Sequence, residues 1–335
     1  MSLRAAITAV GHYAPEKVLT NAMLETMVNT TNEWIMTRTG IRERRVLENG
    51  ASSDMAVKAA EMVLANRGIS PLEIDLIIVT TVTPDMFFPT TACLVQEKIG
   101  AKNAWAFDMN AACSGFVYAL SVGQTFIEAG RYKKILVIGT DKMTSIVDYT
   151  DRNTCVLFGD GAGAVLLEPT EDGSGIIDHK LYADGAGAPY LYMKAGGSLH
   201  PATHETIDKK MHNIYQDGKN VFKAAVVGMA DVSAEILERN NLTGATVDWL
   251  VPHQANLRII DATAKRMELD ASKVMINIDR YGNTTTATIP LCISEWWHAG
   301  KLKKGQNVIL ASFGAGYTWG AMYIKWAIDP PAGKK

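Results

Sequence analysis

Short apolar runs alternate with longer amphipathic stretches along the whole chain. Runs at 76–80, 135–139, 164–167, 249–251, 308–312 and 322–326 are rich in Ile, Val and Leu and lack polar alternation. That is the pattern of strands covered on both faces. Stretches with helical spacing lie between them, and 116–127 is the clearest. The pattern predicts an α/β fold with helices on both sides of a mostly parallel sheet.

The pattern also repeats. Leu64 stands 11 residues before Asp75, and Leu237 stands 11 before Asp248. The next long apolar strand begins 60 residues later in both cases, at Ile135 and at Val308. Cys113 lies 17 residues before Gly130, and Asn283 lies 17 before Gly300. Each half then ends in a Gly-Ala strand, at Gly163-Ala164 and Gly320-Ala321. One unit used twice is expected, divided into 1–175 and 176–335, with Cys113 and Asn283 at matching helix starts. The segment 184–220, rich in Gly, His, Lys and Tyr, interrupts the repeat. It reads as an excursion over a cleft or at a subunit interface.

Composition narrows the function classes. The 335 residues are 47% hydrophobic, enough for a large core, and 33 basic residues face 35 acidic ones for a net charge of −2. A nucleic-acid protein is disfavoured, since phosphate contacts need a basic surplus. The four cysteines are widely spaced with no CxxC, which favours reduced thiols and a cytoplasmic location over a disulfide or zinc framework. The N-terminus lacks a signal-peptide pattern, and no apolar run is long enough to span a membrane. The tail at 330–335 is expected to fray.

Candidate chemistry gathers at four places. Cys113 sits among small residues in Asn110-Ala111-Ala112-Cys113-Ser114-Gly115, just before a helical stretch. A helix N-terminus there would favour a thiolate nucleophile, although most free cysteines are buried and inert. His253, in Val251-Pro252-His253-Gln254-Ala255-Asn256, follows a predicted strand. It can project into a cleft or cap the next helix. Asn283, in Gly282-Asn283-Thr284, suits a turn or N-cap, a use that competes with a role in a site. Gly314, in Phe313-Gly314-Ala315-Gly316, can present a backbone N–H to an oxyanion. The glycine-rich 158–164 lacks the helix that a phosphate loop needs and reads as tight packing. His200 and His204 lack an obvious third metal ligand.

Taken together, Ala111-Ala112-Cys113-Ser114-Gly115-Phe116, Val251-Pro252-His253-Gln254-Ala255-Asn256, Gly282-Asn283-Thr284 and the ending Phe313 to Gly320 resemble β-ketoacyl-acyl carrier protein synthase III. The run Glu33 to Ile41 matches its N-terminal motif. The resemblance implies a five-layer α-β-α-β-α thiolase fold. It implies that Cys113 takes an acyl group from acyl-CoA. His253 and Asn283 would then stabilise the enolate formed when malonyl-acyl carrier protein loses CO2. The N–H groups of Cys113 and Gly314 would form the oxyanion hole. Trp34, Arg38 and Arg152 would contact CoA, and Lys223, Arg258 and Lys265 would meet the acidic carrier protein. Phe88 would close the primer pocket of a neighbouring subunit in a homodimer. No cofactor or metal is implied, acyl-CoA being a substrate.

Two departures stand out. Gly218-Lys219-Asn220 replaces the family's frequent Gly-Asn-Glu, which puts a pantetheine contact at 219 in doubt. Met86-Phe87-Phe88 is bulky beside the expected primer pocket and favours a small primer such as acetyl. A Cys-His-Asn synthase of the type III polyketide class is the nearest rival, and a non-catalytic thioester-binding relative is a further one.

Overall fold

The computed structural model describes residues 3–331, so most of the 330–335 tail lies outside the described residues. Strands β1 (Arg4–Tyr13), β2 (Leu76–Thr80), β3 (Trp105–Met109), β4 (Ile135–Lys142) and β5 (Asp160–Thr170) form one sheet in the order β1-β5-β4-β2-β3. Strands β6 (Gly175–Ala183), β7 (Trp249–Pro252), β8 (Asn307–Gly314) and β9 (Thr318–Lys325) form a second, in the order β6-β9-β8-β7. Val274 bridges Leu250 of β7 in parallel, where the fifth strand of the first sheet would stand.

The pairing senses agree strand for strand. β1–β5 and β5–β4 are antiparallel, and β4–β2 and β2–β3 are parallel. β6–β9 and β9–β8 are antiparallel, and β8–β7 is parallel. The two sheets are one topology used twice. Every apolar run that predicts a strand lies in one. The sheets are mixed rather than mostly parallel, because β4 to β5 and β8 to β9 turn back on themselves. Strands β1, β3 and β6 escape the apolar pattern. All three are edge strands, and β3 and β6 are half-buried over most of their length, so neither carries a continuous apolar run.

Seven helices position the layers: α1 (Asn32–Thr39), α2 (Ser52–Arg67), α3 (Thr91–Ile99), α4 (Gly115–Glu128), α5 (Gly218–Arg239), α6 (Leu257–Arg266) and α7 (Thr288–His298). Helices α4 and α7 lie between the sheets. Phe116 and Leu120 of α4 and Ile289 and Ile293 of α7 share a core with Ile78 and Val137 of one sheet and Val251 and Leu310 of the other. Helices α2 and α3 cover the outer face of the first sheet, and α5 and α6 that of the second. The result is the five-layer α-β-α-β-α thiolase architecture. The glycines at 158–164 open β5 and serve packing: a Cβ on Gly163 would lie 2.6 Å from the Leu291 nitrogen of α7.

The expected match of Cys113 with Asn283 is corrected. A 3-10 turn at Ala112–Ser114 precedes α4, and one at Thr285–Ala287 precedes α7. Ala112 and Thr285 both adopt the left-handed backbone, with φ of 46° and 53°. Thr286 is therefore the counterpart of Cys113, and Asn110 is the counterpart of Asn283. Helix α4 has 14 residues and α7 has 11. Counting back from Gly130 and Gly300 crosses nearly one more helical turn in the first half. The equal spacing of 17 thus aligns residues that are not equivalent.

Candidate active site

Cys113, His253, Asn283 and Gly314 line one cleft of about 970 Å³, to which both halves contribute. Cys113 stands in the turn before α4, not at its first helical residue, and is 9% exposed. Burial pushes its thiol up to about 12, with the Asp141 carboxylate adding to the effect. The resting group is a thiol, whereas the sequence favours a thiolate. Desolvation of a buried anion outweighs what a helix N-terminus supplies.

His253 follows β7 directly, and its Nδ1 lies 2.7 Å from Thr288 Oγ1. The Thr288 hydroxyl is also 3.1 Å from the Thr285 carbonyl oxygen. Burial pulls the imidazole down to about 3, so it is neutral at physiological pH. Helix capping falls to another residue: Asn256 Oδ1 accepts from the Arg258 N–H at 2.9 Å and opens α6.

Asn283 both holds its turn and lines the cleft. Its Oδ1 accepts a hydrogen bond from the Thr285 N–H at 2.8 Å. That bond fixes the orientation of the amide and leaves Nδ2 as the end able to donate into the cleft. Gly314 ends β8 against the turn that carries Cys113. A Cβ there would lie 2.7 Å from the Cys113 nitrogen and 3.1 Å from that of Ser114. Only glycine lets the two backbones approach this closely.

The mouth of the cleft is basic and aromatic. The guanidinium carbons of Arg38 and Arg152 each lie 4.8 Å from the centre of the Trp34 ring, a favourable cation–π distance. Trp34, Arg38 and Arg258 line the cleft. Lys223 lies on α5, and Arg258 and Lys265 lie on α6, which packs against α5. All three are exposed, and neither Lys223 nor Lys265 forms an ion pair among the described residues. The excursion at 184–220 covers the cleft, with Tyr192, Met193 and Gln216 among the lining residues. Lys219 also lines it, while Asn220 donates to Asp217 at the start of α5. Phe88 is 85% exposed and is not brought to the cleft of its own chain.

Two residues that support the cleft from behind escape motif reading. Thr288 lies in a run of buried threonines with nothing local to mark it. Asp141 carries a faint signal, a carboxylate just beyond the apolar run at 135–139. Parallel sheets place functional groups at such strand ends.

Residues 107–185 match the family described as 3-Oxoacyl-[acyl-carrier-protein (ACP)] synthase III, and 237–326 match its C-terminal part. The β-ketoacyl-[acyl-carrier-protein] synthase III of Chlorobium luteolum is 60% identical over 97% of this chain and 100% of its own length. The chain belongs to the 3-oxoacyl-[acyl-carrier-protein] synthase III family. The synthase III of Chlorobaculum tepidum is likewise 60% identical, over 97% of this chain and its own full length. The crystal structure of the Aquifex aeolicus synthase III is 43% identical, with a TM-score of 0.89, covering 96% of this chain and all of that one. As a synthase III, the protein is an acyltransferase-type condensing enzyme. Among the described residues no helix is long and apolar enough to cross a membrane.

Proposed function

We propose that this synthase condenses an acyl-CoA primer with malonyl-acyl carrier protein, giving 3-oxoacyl-acyl carrier protein, CoA and CO2 and so initiating fatty acid synthesis. The observation that carries the reading is the meeting of Cys113, His253, Asn283 and Gly314 in one cleft. The Cys113 sulfur attacks the thioester of acyl-CoA. Its proton passes to His253 Nε2 and on to the departing CoA sulfur. The N–H groups of Cys113 and Gly314 hold the oxyanion. Malonyl-carrier protein then loses CO2, and donors from His253 Nε2 and Asn283 Nδ2 hold the enolate. The carbanion attacks the acyl-Cys113 carbonyl, and the sulfur departs to be reprotonated, with one proton taken up overall.

The Thr288 hydroxyl serves both stages. Accepting from Nδ1–H while donating to Thr285 leaves Nε2 as a base. Donating to Nδ1 leaves Nε2 protonated as a donor. Trp34, Arg38 and Arg152 form the CoA contact, the indole and guanidinium planes suiting a nucleotide base and its phosphates. Lys223, Arg258 and Lys265 form a local basic face for the acidic carrier on a chain whose net charge is −2.

The primer is small, acetyl being the simplest, and the unit is a cytoplasmic homodimer in which Phe88 enters the partner's primer pocket. The exposure of Phe87 and Phe88, 78% and 85%, supports an apolar surface awaiting a second copy. The functional halves are 1–175, bearing the nucleophile, and 176–335, bearing His253 and Asn283.

Mass spectrometry of the protein mixed with acetyl-CoA tests the reading. An acetyl adduct on Cys113, absent from Cys113→Ala, is expected; no adduct on any cysteine would overturn it. Acylation rates with C2 to C8 acyl-CoAs test the primer, and a preference for C8 would overturn the small-primer assignment.

A further inference from the structure

The internal two-fold gives counterparts to the strand ends and turns that build the cleft floor, and one counterpart is a buried carboxylate. Ile135 and Val308 pair in equivalent registers with β2 and β7. Six residues on stand Asp141 and Gly314. Gly314 approaches the turn that carries Cys113, and Asp141 meets the turn that carries Thr286. Where the second half leaves space beside a nucleophile, the first half fills the same space with a side chain.

Asp141 is fully buried, and its neighbours all donate to it. Its Oδ1 accepts from Thr81 Oγ1 at 2.9 Å, the Val82 N–H at 2.7 Å, the Thr83 N–H at 3.2 Å and Thr83 Oγ1 at 3.0 Å. Its Oδ2 accepts from the Thr286 N–H at 3.1 Å and Thr286 Oγ1 at 2.7 Å. The Oδ2 side thus grips the centre of the 283–288 turn. That turn carries Asn283, whose amide is anchored on the Thr285 N–H, and Thr288, which contacts His253.

We propose that Asp141 is a positioning residue for the condensation stage: from the first half, it locks the turn that aims Asn283 and supports His253. This rests on the condensing function proposed above. Asparagine is the discriminating replacement. Its NH2 must face N–H donors whichever way the amide turns. The Oδ1 side has four donors to satisfy and the Oδ2 side two, and Thr286 Oγ1 has an alternative acceptor in the Thr80 carbonyl at 3.0 Å. The amide therefore keeps its oxygen toward 81–83 and releases the 283–288 turn.

Asp141 also bears on Cys113 when ionised: burial raises its own carboxyl above the ordinary range against the hydrogen bonds that lower it, and its anion raises the thiol. Of the titratable groups around the thiol, His253 is neutral and Asp141 disfavours the thiolate. Asn283, Thr285 and Gly314 carry no charge, and the charged side chains lining the cleft are those of Arg38, Lys219 and Arg258.

The experiment compares wild type, Asp141→Asn, Thr286→Val and Thr286→Ser. Three quantities are read: Cys113 acetylation by acetyl-CoA, decarboxylation of malonyl-carrier protein, and the pH profile of Cys113 alkylation by iodoacetamide. Wild type must acetylate and decarboxylate, and failure there overturns the functional reading, not this one. Asp141→Asn is expected to lose at least about tenfold more decarboxylation than acetylation, with its alkylation profile moved to lower pH. Thr286→Val is expected to show the same split more weakly, and Thr286→Ser to restore wild-type behaviour. Equal losses in both half-reactions, or an unmoved alkylation profile, would overturn the proposal. If Asp141→Asn does not fold, the absence of a split in Thr286→Val overturns it.

Discussion

Thr288 Oγ1 lies 2.7 Å from His253 Nδ1, and this contact, buried behind the cleft, leaves Nε2 as the ring nitrogen that can face substrate. Thr288→Val keeps the shape and removes the hydroxyl. Malonyl decarboxylation is expected to slow about tenfold, near the net worth of one buried hydrogen bond, and Thr288→Ser to restore it. Ring 15N shifts of His253 give the direct check. An identical tautomer balance in wild type and Thr288→Val would remove Thr288 from this role.

Gly314→Ala places a methyl 2.7 Å from the Cys113 nitrogen, where backbone has no room to yield. Cys113 acylation is expected to fall by about 10²–10³, the usual cost of a damaged oxyanion site. Timed mass spectrometry of the acetyl adduct measures it. Wild-type acylation in this variant would place the oxyanion elsewhere.

Asn283→Asp separates the two ends of one side chain. The carboxylate still accepts from the Thr285 N–H, so the turn is retained. The Nδ2 donor is gone, and a negative charge faces the enolate. Decarboxylation is expected to drop at least about 10²-fold. A turnover assay on malonyl-carrier protein with intact protein, checked by thermal melting, reads the effect.

His253 makes the fold sensitive to acid. Its folded-state value of about 3 lies below its ordinary 6.5, so the unfolded chain binds the extra proton first. Its contribution is fully present above about pH 6.5 and is lost as pH falls toward 3. Urea midpoints measured from pH 7 to 4 are expected to fall less steeply in His253→Ala than in wild type. Parallel slopes would mean that His253 is not buried as a neutral ring.

Trp34→Ala removes the surface on which Arg38 and Arg152 rest. KM for acetyl-CoA is expected to rise about five- to tenfold with little change in kcat, the signature of lost uniform binding. A fall in kcat alone would point to disturbance of the cleft interior.

Much of the molecule is legible from residue order. Buried parallel strands such as β2 and β4 announce themselves as unbroken apolar runs. Edge strands β3 and β6 do not, because one side of each meets solvent. Cys113, His253, Asn283 and Gly314 stand in distinctive local motifs, and the cleft holds all four. Thr288 and Asp141 have no such setting, and their meaning comes from atoms far away in the chain.

The sequence by itself determined the repeated α/β pattern, the family and the identities of the residues that meet in the cleft. These follow from periodicity and local motif, which are properties of neighbours along the chain. Only the tertiary structure decided that Thr286 rather than Asn283 mirrors Cys113. It alone showed that Asp141 fills the space opposite Gly314, and that the resting thiol and imidazole are both neutral. Helix α7 is nearly one turn shorter than α4, so spacing misleads where superposition does not. Protonation follows from the loss of water around a group, and burial is settled only when distant segments pack together.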